Sequence, residues 1–453
     1  MATRTVLDRL WLAPPAPCRC SATWRRPFGT TRMRRQMQQA KPKPSTSIAQ
    51  LPASITPKYL PLKKPASGHL SLHWPRPPRN LLLVLKLDAP NAVESVVAFA
   101  NHVHREYPAV NMIVEPYFFA MLSQRLRFPI FVADNGASLS EKVDVIATFG
   151  GDGTFLRAAS FFKLLPSVPP ILSFSMGTLG FLGEWNFGDH ELAWKQIYMS
   201  GCPFNSPSHA TDRDKYPEWD SVREKCHGAP PAKILLRHRL QADLYDKEGN
   251  NITHIASERL TRDRKSTMAT PQEASPSLRA VNEISVYRGL SPHLAVVNIT
   301  HNGSPLTETM GDGALVSTPT GSTAYSLSTG GPIVHPLAKS LVLTPISPCS
   351  LSFRSLVLPF ERSISLRVSP RNRSDELIFS IDGKQCASLA RGTEVRINGE
   401  FVGRGQAGED WHGGVPCVMR ADNFDPWVAG INGLLKFNRP FGRYSADEEE
   451  AVD

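Results

Sequence analysis

Residues 143–160 read VDVIATFGGDGTFLRAAS. The run Val143 to Thr148 has the apolar make-up of a buried strand, and Thr154 to Leu165 has the apolar spacing of a helix. Between them stand Gly150, Gly151, Asp152 and Gly153. A glycine-rich turn leading from the carboxyl end of a strand into a helix is where open α/β sheets bind ligands. Bare main-chain N–H groups and the helix N-terminus both favour an anion there. Asp152 would repel phosphate oxygens, so its presence argues for a task such as serving an acceptor hydroxyl or a magnesium ion. Taken alone, the turn also admits the plainer reading of a strand–helix junction capped by Asp152. No G-x-x-x-x-G-K-[ST] run occurs, which excludes a P-loop.

Outward from this turn the pattern alternates. Leu81 to Lys86, Asn111 to Val114, Pro129 to Val132 and Pro170 to Ser175 read as strands. Asn91 to Glu106, Tyr117 to Leu126 and His190 to Ser200 read as helices. Such alternation predicts a mostly parallel sheet covered by helices. After Pro231 the period becomes two: in ILLRHRLQADLYD, Leu236, Leu240, Ala242 and Leu244 share one face. Alternating segments recur at Glu283 to Tyr287, Ala295 to Ile299, Ser363 to Val368, Leu377 to Asp382 and Glu394 to Val402. Asn205 to Pro230 and Thr261 to Arg279 are polar and aperiodic and read as surface insertions. Trp427, Ile431, Leu434 and Leu435 suggest a last helix.

The 453 residues hold 51 Lys/Arg and 41 Asp/Glu; residues 1–87 contain 16 of those bases and one acid, Asp8, leaving 35 bases against 40 acids in the rest. The net charge of +10 therefore belongs to the N-terminus, and a nucleic-acid-binding body loses its compositional support. Arg4, Leu7, Arg9, Leu10 and Trp11 fit a short basic amphipathic helix, the pattern of a mitochondrial presequence, so the matrix is the expected location. Initiation at Met33 or Met37 would instead leave a cytoplasmic protein. No apolar run approaches the roughly 18 residues a spanning helix needs, so no membrane partner is expected. The seven cysteines, with no C-x-x-C, predict free thiols. The organisation expected is a presequence at 1–40, a Pro/Lys-rich linker at 41–73, an α/β nucleotide-binding domain at 74–203 and a polar insertion at 204–230. A mainly β substrate-binding domain at 231–422 follows, with an insertion at 261–279, then a C-terminal helix at 423–441 and an acidic tail at 442–453.

A second glycine-rich segment, GDGALVSTPTGSTAYSLSTGGP, spans Gly311 to Pro332. It again sets an acid, Asp312, between glycines, and it gathers Thr318, Thr320, Ser322 and Thr323 beside Tyr325. Hydroxyls can read an adenine edge while a tyrosine stacks on it. An acid set beside bare main-chain N–H groups supplies what phosphoryl transfer to an alcohol requires, donors for the phosphate and a base for the hydroxyl proton.

With PPILSFSMGTLGFL (residues 169–182), VNEISVYRG (281–289) and FSIDGKQ (379–385), these stretches resemble the NAD kinase family, over about Trp74 to Phe441. The resemblance implies a phosphofructokinase-like α/β N-terminal domain followed by a β-sandwich-like C-terminal domain, with substrates between them. It implies ATP-dependent phosphorylation of the adenosine 2′-hydroxyl of NAD or NADH, with Mg²⁺ bridging the ATP phosphates and a homo-oligomer as the working form. Asp152 becomes the proton acceptor. Gly150, Gly151, Gly153 and Thr154 shape the ATP-phosphate loop. Asp152, Gly153, Phe181, Asn282, Glu283, Asp312, Thr320, Thr323, Ala324, Tyr325 and Ser328 line the dinucleotide site. Asp382 in the IDGK turn reads either as a turn residue or as part of the site. Two other readings of the chain are a lipid kinase sharing GGDGT and a dinucleotide sensor without turnover.

Overall fold

In the strand Asn80–Leu85 every residue is buried, as an unbroken NLLLVL run demands when both faces of a parallel sheet are covered. It lies within an eleven-stranded mixed sheet, seen here in a computed structural model. That structure describes residues 46–62, 68–133, 139–176, 180–203, 217–222, 230–262, 277–404, 411–420 and 426–435, all within one unit, Lys43–Asp453. The strands run in the order Thr46–Ser47, Phe131–Val132, Asn111–Val114, Asn80–Leu85, Val145–Gly150, Ile171–Ser175, Val415–Met419, Lys233–Arg237, Leu70–His73 and Lys58–Pro61, with Trp185–Asn186 beside Ile171–Ser175. Pairing is parallel as far as Val415–Met419 and antiparallel beyond it.

Alternate side chains of the central strands enter two cores. Leu81, Leu83 and Leu85 pack with Phe99 and Trp194 of the helices Pro90–Glu106 and His190–Tyr198. Leu82, Val84 and Ile146 pack with Phe155 and Ala158 of the helix Asp152–Ala159 on the opposite face. Pro90 opens the longest helix at a position where its missing N–H is harmless, and His104 and Arg105 close it in accord with the helix dipole.

Two six-stranded antiparallel sheets follow. One orders Leu278–Ala280, Leu240–Tyr245, Glu394–Gly399, Ile364–Val368, Ala295–His301 and Ser304–Gly311; the other orders Leu356–Pro359, Ser340–Ile346, Gly313–Ser317, Glu283–Tyr287, Glu376–Ile381 and Lys384–Ala390. Leu240, Val297, Leu366 and Ile397 from the first share a core with Ile284, Val316, Leu341 and Phe379 from the second, which makes the pair a sandwich. An α/β part followed by an antiparallel β part is the fold class expected.

Several placements differ from expectation. Residues 41–73, expected as linker, supply the strands Thr46–Ser47, Lys58–Pro61 and Leu70–His73, because Ile55, Tyr59, Leu70 and Leu72 are apolar enough to join the core despite the prolines. Within 231–422, Lys233–Arg237 and Val415–Met419 belong to the mixed sheet and not to the sandwich. The insertion at 204–230 contains a 3-10 turn, Pro217–Val222, that buries Trp219 and Val222 in the first core. The helix Thr253–Arg262 and the buried Leu278 bound the second insertion. Cys202 is disulfide-bonded, against the free-thiol expectation, since spacing alone does not reveal pairing; Cys349, Cys386 and Cys417 are free. The last helix is Pro426–Leu434. The segments expected as a presequence (1–40) and an acidic tail (442–453) lie outside the described residues.

Candidate active site

The strand Val145–Gly150 ends in the glycine turn, and Asp152 is the first residue of the helix Asp152–Ala159. The glycines divide by role. A Cβ on Gly150 would collide with the Thr154 side chain and crowd Lys86, so Gly150 is needed for packing. On Gly151 or Gly153 it would meet nothing within 4 Å, so their main chain stands open to an approaching group. The Asp152 carboxylate does not cap its own helix. Its Oδ2 accepts from the Phe181 N–H and its Oδ1 from the Leu182 N–H, both at 3.0 Å. Two main-chain donors thus fix the plane of the acid. A Cβ on Gly180 would overlap Asp152 Oδ1, which is why the acid needs a glycine just before Phe181.

In the second segment Thr320–Thr323 forms a 3-10 turn and Tyr325–Ser328 a single helical turn. Gly321 lies so close to the Asn282 carbonyl that a Cβ would overlap it, which joins this segment to the Asn282–Glu283 pair. The Thr323 hydroxyl donates to the Thr320 carbonyl (3.2 Å), and the Ala324 N–H to the Gly321 carbonyl (3.0 Å). Tyr325 and Ser328 are exposed. Partial burial of the Tyr325 hydroxyl, and after it the nearby Asp312, Tyr287 and Glu283, raises its pKa. Asp312 Oδ1 accepts from Arg288 Nε at 2.5 Å.

Asn282 and Glu283 are buried, and Asn282 Oδ1 and Glu283 Oε2 have no hydrogen-bond partner among the described residues. Unpaired buried oxygens are expensive unless a ligand's donors complete them. Beneath them Asp382, with φ +47°, is the turn residue of IDGK. Its Oδ1 accepts from Asn282 N (2.7 Å) and Glu283 N (3.3 Å), and its Oδ2 from Val281 N (3.1 Å). Asp382 is thus both a turn residue and the support of the pair. Burial, reinforced by Asp382, pushes the Glu283 carboxyl up to about 8.

Arg237 was not singled out by the sequence, where it is one polar residue of an alternating strand. In the structure it is buried beside Glu184 and reaches both the Phe181 carbonyl and Thr320. The expected residues therefore fall into one connected set: Asp152 and Phe181, Thr320 and Gly321, Asn282 and Glu283, Tyr325 and Asp312. A separate cavity of about 520 Å³, lined by Ser54, Asp144, Ser167, Arg279 and Trp411 among others, lies at the amino ends of the parallel strands and touches none of them. Among the described residues no three His, Cys, Asp or Glu side chains gather to hold a metal.

Residues 95–201 match the family model described as the ATP-NAD kinase N-terminal domain, and residues 281–400 match the ATP-NAD kinase C-terminal domain. The chain is 35% identical to the mitochondrial NADH kinase of Schizosaccharomyces pombe over 372 residues, covering 82% of this chain and 78% of that one. It is 32% identical to the mitochondrial NADH kinase of Saccharomyces cerevisiae, covering 83% of this chain and 85% of that one. A crystal structure of yeast NADH kinase complexed with NADH is similar at a TM-score of 0.68 and 31% identity, covering 89% of this chain and 98% of that one.

Proposed function

Because this chain belongs to the NAD kinase family, we infer that it transfers the γ-phosphoryl group of ATP to the adenosine 2′-hydroxyl of NAD or NADH, giving NADP or NADPH. The observation that carries the chemistry is the Asp152 carboxylate, held by the Phe181 and Leu182 N–H groups beside the open main chain of Gly151 and Gly153. In this reading Asp152 takes the proton of the 2′-hydroxyl. The bare amides of the turn and the N-terminus of its helix stabilise the donor phosphates. Asn282 and Glu283 offer their unpaired oxygens to ribose hydroxyls, and Thr320, Thr323, Ala324, Tyr325 and Ser328 border the bases. Phosphoryl transfer asks mainly for positioning and charge stabilisation, which this arrangement supplies. A Mg²⁺ ion would accompany the ATP phosphates into the turn, where Asp152 is the acid present to hold it. When bound, that ion offsets negative charge on the transferring group.

The polar site with its Asn–Glu pair is what a dinucleotide needs, and nothing in it favours a lipid acceptor. Incubation with Mg-ATP and either NAD or NADH, followed by quantification of NADP and NADPH, tests the assignment. Asp152→Asn is expected to keep the fold and lower turnover roughly a hundredfold or more, the scale of a lost general base. Turnover near that of the wild type would remove Asp152 from the reaction.

A homo-oligomer is the proposed working form. The edge strand Ser304–Gly311 exposes Leu306 and Met310, and the edge strand Leu356–Pro359 exposes Val357, an apolar surface suited to a second copy. Light scattering checks it. The mitochondrial matrix is the proposed location, carried by the basic leader and by the mitochondrial relatives. A fluorescent fusion of residues 1–40 tests it.

A further inference from the structure

Arg237 ends the strand Lys233–Arg237 where the chain leaves the mixed sheet, and its side chain is only 4% exposed. Its Nη2 donates to the Phe181 carbonyl (3.0 Å) and to Glu184 Oε1 (3.1 Å), and its Nη1 reaches Thr320 Oγ1 at 3.5 Å. The N–H of Phe181 donates to Asp152 Oδ2. One residue, Phe181, therefore stands between the guanidinium and the acid. The same guanidinium touches the segment assigned above to the dinucleotide.

Stability does not account for this arginine. A buried ion pair gains little or nothing over well-packed apolar side chains of similar volume. What an apolar side chain cannot do is hold two separate loops at fixed spacing, and a planar fork with several donors can. Misplacement of a reacting group by about 1 Å is enough to lose about two orders of magnitude in rate.

We propose that Arg237 is a positioning residue for phosphoryl transfer, which fixes the Phe181 peptide that orients Asp152 in register with Thr320 of the dinucleotide segment. The proposal rests on the reading of Asp152 as the base. The test uses the full chain with two variants, Arg237→Lys, which keeps the charge but loses the fork, and Arg237→Met combined with Glu184→Met, which removes the pair without leaving a lone charge. Both are expected to lose roughly ten- to a hundredfold in kcat, with the KM for ATP within about twofold of wild type. In an Asp152→Asn background Arg237→Lys is expected to add less than about a twofold further loss, because it acts through that acid.

A further loss equal to that of Arg237→Lys alone overturns the proposal, as does wild-type kcat in the folded double-Met protein. If neither variant folds by circular dichroism, Arg237 is structural and the proposal fails. Wild-type turnover in Asp152→Asn alone refutes instead the base assignment on which it stands, so the two failures are told apart.

Discussion

Asp152 was legible in the sequence because its neighbours are local: an acid among glycines between strand and helix admits few uses. Its surroundings were less legible. The donors that orient it come from Phe181 and Leu182, about thirty residues on, and Gly180 is required there by a contact with Asp152 and not by its own backbone angles. Gly180→Ala should therefore displace the carboxylate, lowering kcat by about tenfold or more while the melting temperature stays near wild type; steady-state kinetics with thermal denaturation checks it. Arg237 was not legible, because a buried arginine in an alternating strand is indistinguishable from an outward-facing one until its neighbours are known.

Glu283 gives a second prediction at this scale. Its carboxyl stands at about 8 in the folded chain against an ordinary 4.5, so the folded state keeps a proton that the unfolded state releases. Its contribution to stability is complete below about 4.5 and is lost as pH rises through 8. Asp382, also raised by burial, acts in the same sense. The melting temperature of the ligand-free wild type should fall relative to that of Glu283→Gln between those values. Parallel curves for the two proteins would show that Glu283 is not held protonated.

Among the elements, the alternating strands and helices of the mixed sheet were readable from period alone. Two failures have a common cause, since periodicity reports which face is buried but not against what. ILLRHRLQADLYD keeps one alternating pattern, yet the structure divides it into Lys233–Arg237 in the mixed sheet and Leu240–Tyr245 in the sandwich. The residues at the division, His238 and Arg239, are both buried. Burial lowers the His238 pKa to about 4 and keeps the ring neutral against Phe360. Likewise the polar stretch expected as a surface insertion hides anchors, Val222 and above all Trp219, which is 1% exposed. Trp219→Ala should destabilise the protein by about 3–5 kcal/mol in chemical denaturation, as large-to-small core changes do. A change under about 0.5 kcal/mol is what a surface insertion would give.

In the whole molecule, the sandwich is tied to the mixed-sheet side through Glu400. Its carboxylate accepts from Arg239 (2.6 and 2.7 Å), from Arg279 (2.7 Å) and from the Gly414 N–H (3.0 Å). Arg239 also donates to the Pro166 carbonyl behind the Asp152 helix (2.8 Å). Glu400→Ala would leave the buried Arg239 and the half-buried Arg279 without their acid, and a loss of about 3–5 kcal/mol is expected in urea titration. Removing Asp375, an exposed partner of Arg391, should change stability by under about 1 kcal/mol. None of this was legible, because the partners are scattered over more than two hundred residues.

The strand Val415–Met419 sits between Ile171–Ser175 and Lys233–Arg237. On the ribosome this imposes an order of events. Domains commonly fold as they emerge, and the sandwich strands, which end at Gly399, can assemble early. The mixed sheet has to wait with an empty slot at its middle until the closing strand is synthesised. A nascent chain halted before that point is an unfinished sheet with two bare edges, vulnerable to aggregation and to proteases. Loss of the last tenth of the gene should therefore abolish soluble protein, although every residue named for the chemistry has already been translated.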